Sequence, residues 1–562
     1  MSMNRRNSVI FKSLLIVFSI ASMSRSAALD VPVADPVYDF LQRLESRAVI
    51  NGYSGMTLPL TRDEITRWLL MARASESRLS AIERSLLTEF LADYRYEVKH
   101  NDQSPDTLLT PFANGESLGR MLCRLGTRQA GMPENHLAVY ESGEQFIWFD
   151  IGARVRLDWK DIHQKYLLSD RYLLRGALGQ ALTFQTYVAR FGKKYNPAFP
   201  EPYAEESGNF NFLQPDSIVT FDQVQTALVY HNKLFDLGFY RQPVSWGASG
   251  VHNLVLNRQS PLFTYFGFTT HFRDIRLTFL HGALLNDSTH FRDQPYQVRN
   301  RSKYIAAHRI DLPLFGKTTW LSASEMAIYG DGNVEFNYLV PTNFFWPAGH
   351  ALEDRSNQLM ALDISTHFIS NVTFYGSLLI DELRFGELGR HWWANKHAVQ
   401  AGARFAPTIA TLPVDLQIEF TAVRPWTYSH KTLTTDYTHN AICLGFPYGA
   451  NCQSWFAQVR VYFSRRCLLT GQYLLLKQGE DDATHFWGGN PTVSYELRDT
   501  TYNHSTKWLM GAIRTTNRFS ITGRYEIVND CYIKTGLEFF TSEFERERQA
   551  NRFAFIELEV NY

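Results

Sequence analysis

The chain has 562 residues with 56 basic and 56 acidic side chains. Removal of an N-terminal leader carrying Arg5, Arg6, Lys12 and Arg25 leaves 52 basic against 56 acidic, which excludes the strongly basic face of a nucleic-acid binder. Beyond that leader no apolar run approaches the ~20 residues of a transmembrane helix, and five cysteines are too few for a disulfide scaffold.

The leader reads as a secretory signal over residues 1–28. Arg5, Arg6 and Lys12 form its positive region, Leu14 to Met23 its apolar region, and Ser26-Ala27-Ala28 the small-residue cleavage site. Residues 29–100 have a helical period. Asp35-Pro36 supplies an N-cap and a proline in the first turn, with Val37, Phe40, Leu41 and Leu44 on one face. Thr61 to Glu64 and Ser80 to Glu83 are capping boxes opening two further amphipathic helices. Three short helices bury little surface alone, so this bundle is expected to dock against the larger body that follows. Residues 101–135 read as a linker.

From residue 136 to 562 the period is two. Ile147, Phe149, Ile151, Ala153, Val155, Leu157 and Trp159 alternate with Trp148, Asp150, Gly152, Arg154, Arg156 and Asp158. The same alternation runs through Val372 to Asp381 and Val414 to Ala422. It returns in the last strand, where Ala554, Ile556, Leu558, Val560 and Tyr562 alternate with Phe555, Glu557, Glu559 and Asn561. Such strands are long enough to span an apolar band of about 25 Å, with charges turned to a polar lumen. Short links near Lys233, Arg273, Pro313 to Gly316, Ser370, Ala410 and Ser464 to Arg466 alternate with long ones. The long ones run from Gly330 to Asn357, Arg384 to Lys396, Pro425 to Ser454 and Gln478 to Ser505. The expected fold is an all-β transmembrane barrel of about 18 antiparallel strands with a small N-terminal helical bundle, in the outer membrane. Trp508 to Val528 reads as one long strand or two. An aromatic fraction of 14% suits interfacial girdles, Tyr562 among them, where the terminal ring also serves the barrel-assembly machinery.

Chemistry is sparse. No Gly-x-Ser-x-Gly elbow presents a serine, and nothing in the sequence fixes His308 beside Ser324, so no catalytic residue, enzyme activity or cofactor is expected. No Cys/His spacing fits a metal. Cys443 and Cys452 flank a Gly/Pro-containing segment and either close it as a disulfide in an oxidising compartment or stay as two thiols. The long links are richer. Trp346 and His350, Trp392 and Trp393, Tyr428 and His430, and Trp487 mix rings with imidazoles and amides. Sugar C–H faces pack on rings and sugar hydroxyls need polar partners, so these seven are the candidate glycan contacts. The competing reading is interfacial anchoring, which suits rings at loop bases such as Trp426 and divides those mid-loop, Trp346 and Trp393.

At these residues the chain resembles the capsule assembly Wzi family. The resemblance runs from Pro36-Val37-Tyr38-Asp39-Phe40-Leu41 and Trp246-Gly247 through Ala307-His308-Arg309, Ser324 to Gly330 and Asn337 to Pro341. It continues in Asp354 to Asn357, Leu378 to Glu382, Arg424 to His430 and Leu444 to Gly449, and so covers nearly all the mature chain. Ala248-Ser249 stands where the family has Gly-Pro, and Asp381-Glu382 where it has two aspartates. The resemblance implies a non-enzymatic, lectin-like barrel, its helical bundle at the periplasmic end, that attaches and organises capsular or other surface polysaccharide, with glycan and outer-membrane lipids as partners. The alternative from the lumen charges Asp150, Arg154, Arg156 and Asp158 is a porin for small solutes.

Overall fold

The computed structural model describes residues 29–102, 136–142, 145–179, 181–194, 196, 212–214, 218–286 and 302–561. The leader, nearly all of the 101–135 stretch and Tyr562 lie outside the described residues. The N-terminal part forms α1 (Pro36–Ser46), α2 (Arg62–Ala74), α3 (Ala81–Asp93) and α4 (Arg95–Asp102). Asp35 accepts the Val37 N–H, and both capping boxes form, each side chain taking the backbone N–H three residues on and each glutamate returning to the cap.

The barrel begins with β1 (Gln145–Lys160), β2 (His163–Leu178), β3 (Leu182–Lys194), β4 (Ile218–His231) and β5 (Phe235–Arg241). It continues with β6 (Thr264–Phe272), β7 (Ile275–Leu284), β8 (Lys303–Leu314), β9 (Thr319–Gly330) and β10 (Asn357–Ile369). Next come β11 (Val372–Glu382), β12 (Lys396–Phe405), β13 (Leu412–Val423) and β14 (Cys452–Ser464). The last are β15 (Cys467–Glu480), β16 (Ala512–Val528), β17 (Cys531–Phe544) and β18 (Glu547–Asn561). Among the described residues these eighteen antiparallel strands close on themselves through β18 and β1, in a register that sets Glu557 opposite Arg156 and Glu559 opposite Arg154. Trp508 to Val528 therefore contributes one strand, starting at Ala512.

The closing pair shows why the alternation matters. Ile151, Val155, Leu157 and Leu558 are exposed on the outer wall, while Glu557 is buried on the lumen side. There it lies 2.9 Å from Lys534, 3.7 Å from Arg156 and 3.9 Å from Arg154, and Glu559 meets Arg171 at 2.7 Å. Carboxylates on this strand are affordable because opposite charges from three other strands share the same face.

The helices dock at the end with the short turns. Arg43 of α1, buried, reaches Glu83 of α3 at 2.8 Å, Asp415 of β13 at 2.6 Å and the Pro407 carbonyl. The Asn371 N–H donates to the Ser46 carbonyl, and Arg465 meets Glu89. Glu45, buried on α1 and 3.5 Å from His367, is pushed up to about 8 by burial. A carboxyl raised from 4.5 to about 8 contributes stability that is full below 4.5 and lost as pH rises through 8. Glu45→Gln should therefore raise stability at pH 8 relative to the parent, by about 4 kcal/mol, and leave it unchanged at pH 4. Denaturant melts at the two pH values check this.

The chain between β5 and β6 turns into the lumen. Ser245–Trp246 pairs with Thr57–Leu58 of the bundle, the Gly247 N–H donates to the Met56 carbonyl, and the Asn257 N–H to the Leu444 carbonyl. Gly247 has φ of 148°, and a Cβ there would stand 2.7 Å from Asn253, so glycine is required. The Ala248 carbonyl accepts from Arg404 at 2.6 Å. Trp246, Leu254, Leu256, Leu444 and Phe446 then pack against inward residues of the wall, such as Ile305, Met326 and Leu379. One side of the lumen is thus an apolar plug. Beside the bundle, along β1–β4 and β14–β18, a polar cavity of about 740 Å³ remains, lined among others by Arg171, Arg175, Tyr187, Arg524 and Glu559.

Candidate functional site

The segment joining β13 to β14, residues 424–451, folds across the long-loop end and is almost wholly buried. Two buried lysines on the wall hold it. Lys396 lies 3.3 Å from Asp381 and 3.0 Å from Glu382 and donates to the Ser429 carbonyl at 3.0 Å. Lys303 donates to Asp436 and to the Leu433 carbonyl. The segment is tied downward as well: Tyr428 Oη donates to the Leu254 carbonyl and Tyr437 Oη to the Val255 carbonyl, each at 2.9 Å.

Two further loops rest on this floor. Residues 383–395 join β11 to β12, and 481–511 join β15 to β16. Arg424 stitches all three by donating to the Thr506 carbonyl at 3.1 Å and the Trp392 carbonyl at 3.3 Å. The Trp393 N–H donates to the Asn503 carbonyl, and the Trp426 N–H to the Gly488 carbonyl. Above these bonds the rings assemble. Arg498 stacks 3.7 Å from the Trp393 ring, Trp392 lies 4.6 Å from His504, and Trp487 packs on Tyr502 at 5.0 Å and His485 at 5.2 Å. Trp487 Nε1 donates to Asp482 at 3.0 Å, and His485 lies 3.4 Å from Asp499. Bonds from Thr484 and Trp487 hold the Asp482 carboxyl well below the usual carboxylate range, so it stays an acceptor. The cleft between Trp393, Trp426, Trp487 and Arg498 encloses only about 20 Å³. This is a platform, not a pocket.

The structure divides the seven sequence candidates. Trp392 and Trp487 stand on the platform, and Trp393 is its buried support. His430 is also buried, bonded to Thr435 at 2.7 Å and edge-on to Tyr495; burial, with Lys396 and Lys431 beside it, brings it down to about 3. Tyr428 needs correction: it is fully buried, stacked on Tyr437 and bonded to Leu254, and belongs to the plug instead of a surface. Trp346 and His350 are not brought to the platform; their loop lies on the outside of the barrel wall. Cys443 and Cys452 are both buried free thiols, with Cys452 Sγ directed at the Gly449 carbonyl, which corrects the disulfide reading. Tyr502, His504, Arg498 and Asp499 were missed, because a run of small polar residues around them reads as an ordinary surface loop.

His308 and Ser324 stand on opposite faces of the wall, since Glu325 is the residue paired with His308. A different relay exists: Thr183 Oγ1 lies 2.8 Å from His231 Nε2, and His231 Nδ1 lies 2.8 Å from Asp236. All three are buried against the bundle, and the cavity beside His231 and Asp236 is only about 60 Å³, so the relay acts as a clamp across β3, β4 and β5. Among the described residues no group of three His, Cys, Asp or Glu could hold a metal ion.

No family model matches this chain, and no curated protein matches it in sequence. Its fold is similar to that of Wzi, an outer-membrane protein involved in group 1 capsule assembly in Escherichia coli and described as a carbohydrate-binding β-barrel. That likeness has a TM-score of 0.56 at 14% identity and covers 94% of this chain and 98% of that one. Pseudomonas aeruginosa OprD (TM-score 0.42, 9% identity) and OccK1 (0.43, 8%) are matched over 74% of this chain and 95% and 98% of theirs. The protein is an outer-membrane β-barrel. The helices lie at the barrel's short-turn end and the three-loop platform at its long-loop end.

Proposed function

We propose that the barrel binds and organises capsular or other surface polysaccharide at its outer face, as a lectin and without catalysis. The observation that carries this reading is the platform itself. Trp392, Trp487 and Tyr502 offer ring faces to sugar C–H groups, and Asp482, Asp499 and His504 offer partners to hydroxyls, on loops stitched rigidly by Arg424. Rings held in place before binding lose little entropy on it. A platform that encloses almost no volume suits a polymer lying across it better than an engulfed monosaccharide. The fold likeness to a carbohydrate-binding barrel supports the reading without extending to any residue.

Trp392→Ala with Trp487→Ala is expected to cut retention of purified capsular polysaccharide on whole cells at least tenfold, the scale of losing stacked ring anchors. Barrel amounts in the membrane should not change, because both rings lie above the buried floor. Unchanged retention would remove the platform as the binding surface.

The second reading, a pore for small solutes, draws on the polar cavity of about 740 Å³ beside β1–β4. The plug of Trp246, Leu254 and Phe446 opposes it. In planar bilayers the full chain should show no steady conductance under this proposal, and steady channels would favour the pore.

A further inference from the structure

The segment between β9 and β10, residues 331–356, leaves the rim and folds down against the outside of the wall. Its helix α5 (Phe345–Ala351) and the turn at Phe336–Tyr338 cover Phe279, Ala306, Ala327 and Tyr329, all outward residues of β7, β8 and β9. Tyr338 and Phe345 are fully buried there, Tyr338 lying 4.9 Å from Tyr329 and Phe345 4.4 Å from His308. The wall beneath is built to receive this segment. Glu325 faces outward and takes the Phe345 N–H at 2.8 Å and the Trp346 N–H at 2.6 Å, which closes the start of the helix, while His308 across the strand pair lies 3.2 Å from it. A carboxylate on the lipid face is tolerated because the segment covers and saturates it.

The other side of this flap is a row of rings. Phe336 is 82% exposed, Phe344 71% and Trp346 49%, and on the outward face of the adjoining β10 Met360, Leu362 and Ile364 are exposed as well. Gln358, on that same face of β10, bonds to Tyr338 Oη, so flap and lipid-facing wall are one surface. His308 lies five residues from the outer end of β8, about 16 Å along the strand, which brings the helix below the rim. The charged run Glu353-Asp354-Arg355 is exposed just before β10 starts, and marks the aqueous side. We infer that residues 335–352 are an outer-leaflet anchor, in which Phe336, Phe344 and Trp346 enter the acyl chains at the head-group boundary. Trp concentrates at that depth because its apolar ring carries an N–H that still reaches the head groups, and the neighbouring Phe rings bury apolar area at the acyl boundary. Trp346 then serves the membrane, independently of any glycan, while His350 lies 3.7 Å from Asp354 on the aqueous side.

The test uses the full chain in vesicles of palmitoyl-oleoyl-phosphatidylcholine and in vesicles of the counterpart lipid brominated at carbons 6 and 7. The emission lost on Trp346→Phe gives the signal of that one ring. It is expected to fall by more than half in the brominated vesicles and to resist aqueous iodide; the reverse pattern would overturn the anchor. Independently, Phe344→Cys should react with a membrane-impermeant maleimide at least tenfold more slowly than Arg355→Cys in vesicles, after subtraction of the parent's own thiols. Equal rates, or intermolecular cross-links through Phe344→Cys that would mark a second copy on the flap, would also overturn it.

Discussion

Replacing Lys396 by methionine is expected to release the floor of the outer platform. The side chain is fully buried between Asp381 and Glu382, and its third partner is the Ser429 carbonyl of the loop it holds. Asp381 in turn accepts the Tyr428 N–H at 2.6 Å, so the lysine neutralises the very carboxylate that orients the loop. Removing one member of such a cluster leaves buried charge uncompensated, at a cost of about 3–5 kcal/mol. The barrel has other ties, and the loop is the part free to respond. Protease nicking within residues 424–451 on intact cells should rise about a hundredfold or more, with loss of polysaccharide retention alongside. Adding Asp381→Asn to Lys396→Met should recover part of the protection, because the unpaired charge is then gone. Nicking at the parental rate would show that Lys303 and the plug hold the loop unaided.

The second large effect is expected midway along the barrel wall. Arg309 is fully buried and joins four groups: Thr57 of the bundle at 2.7 Å, Ser324 at 2.8 Å, Asp363 at 2.6 Å and Asp311 at 3.2 Å. It is the point at which the barrel wall, the bundle's short strand and the inward segment meet. Arg309→Met strands two buried carboxylates and should lower stability by about 3–5 kcal/mol, read as a lower temperature for the gel shift that reports barrel unfolding. Arg309→Met with Asp363→Asn should be milder than the single change. An unshifted transition would mean that the Asp311 and Asp363 charges are relieved by Ser322 and Ser377, which also bond to them.

Much of the fold was legible because its signals are local. The capping boxes at Thr61 and Ser80 need only neighbours three residues away, and the alternation from Ile147 to Trp159 needs only the pleat. Turn lengths separated the two ends of the barrel for the same reason. The site was less legible, since rings in loops look alike in a sequence. Tyr428 and Trp487 both stand among histidines and threonines, yet one is fully buried and the other half-buried on the platform. What separates them is Leu254, 174 residues before Tyr428, whose carbonyl waits inside the lumen.

By itself the sequence determined a two-faced strand repeated until it closes, capped helices before it, and aromatic loops above it. Period and capping are properties of adjacent residues, and they carry through to the charge ladder of Glu557 and Glu559 on the lumen side. Only the tertiary structure decided which loop plugs the lumen, which lies on the outer wall and which three make a platform. Those choices depend on hydrogen bonds and ion pairs between segments far apart in the chain, such as Arg424 with Thr506, Lys303 with Asp436 and Glu325 with the start of α5. No local pattern encodes such partners.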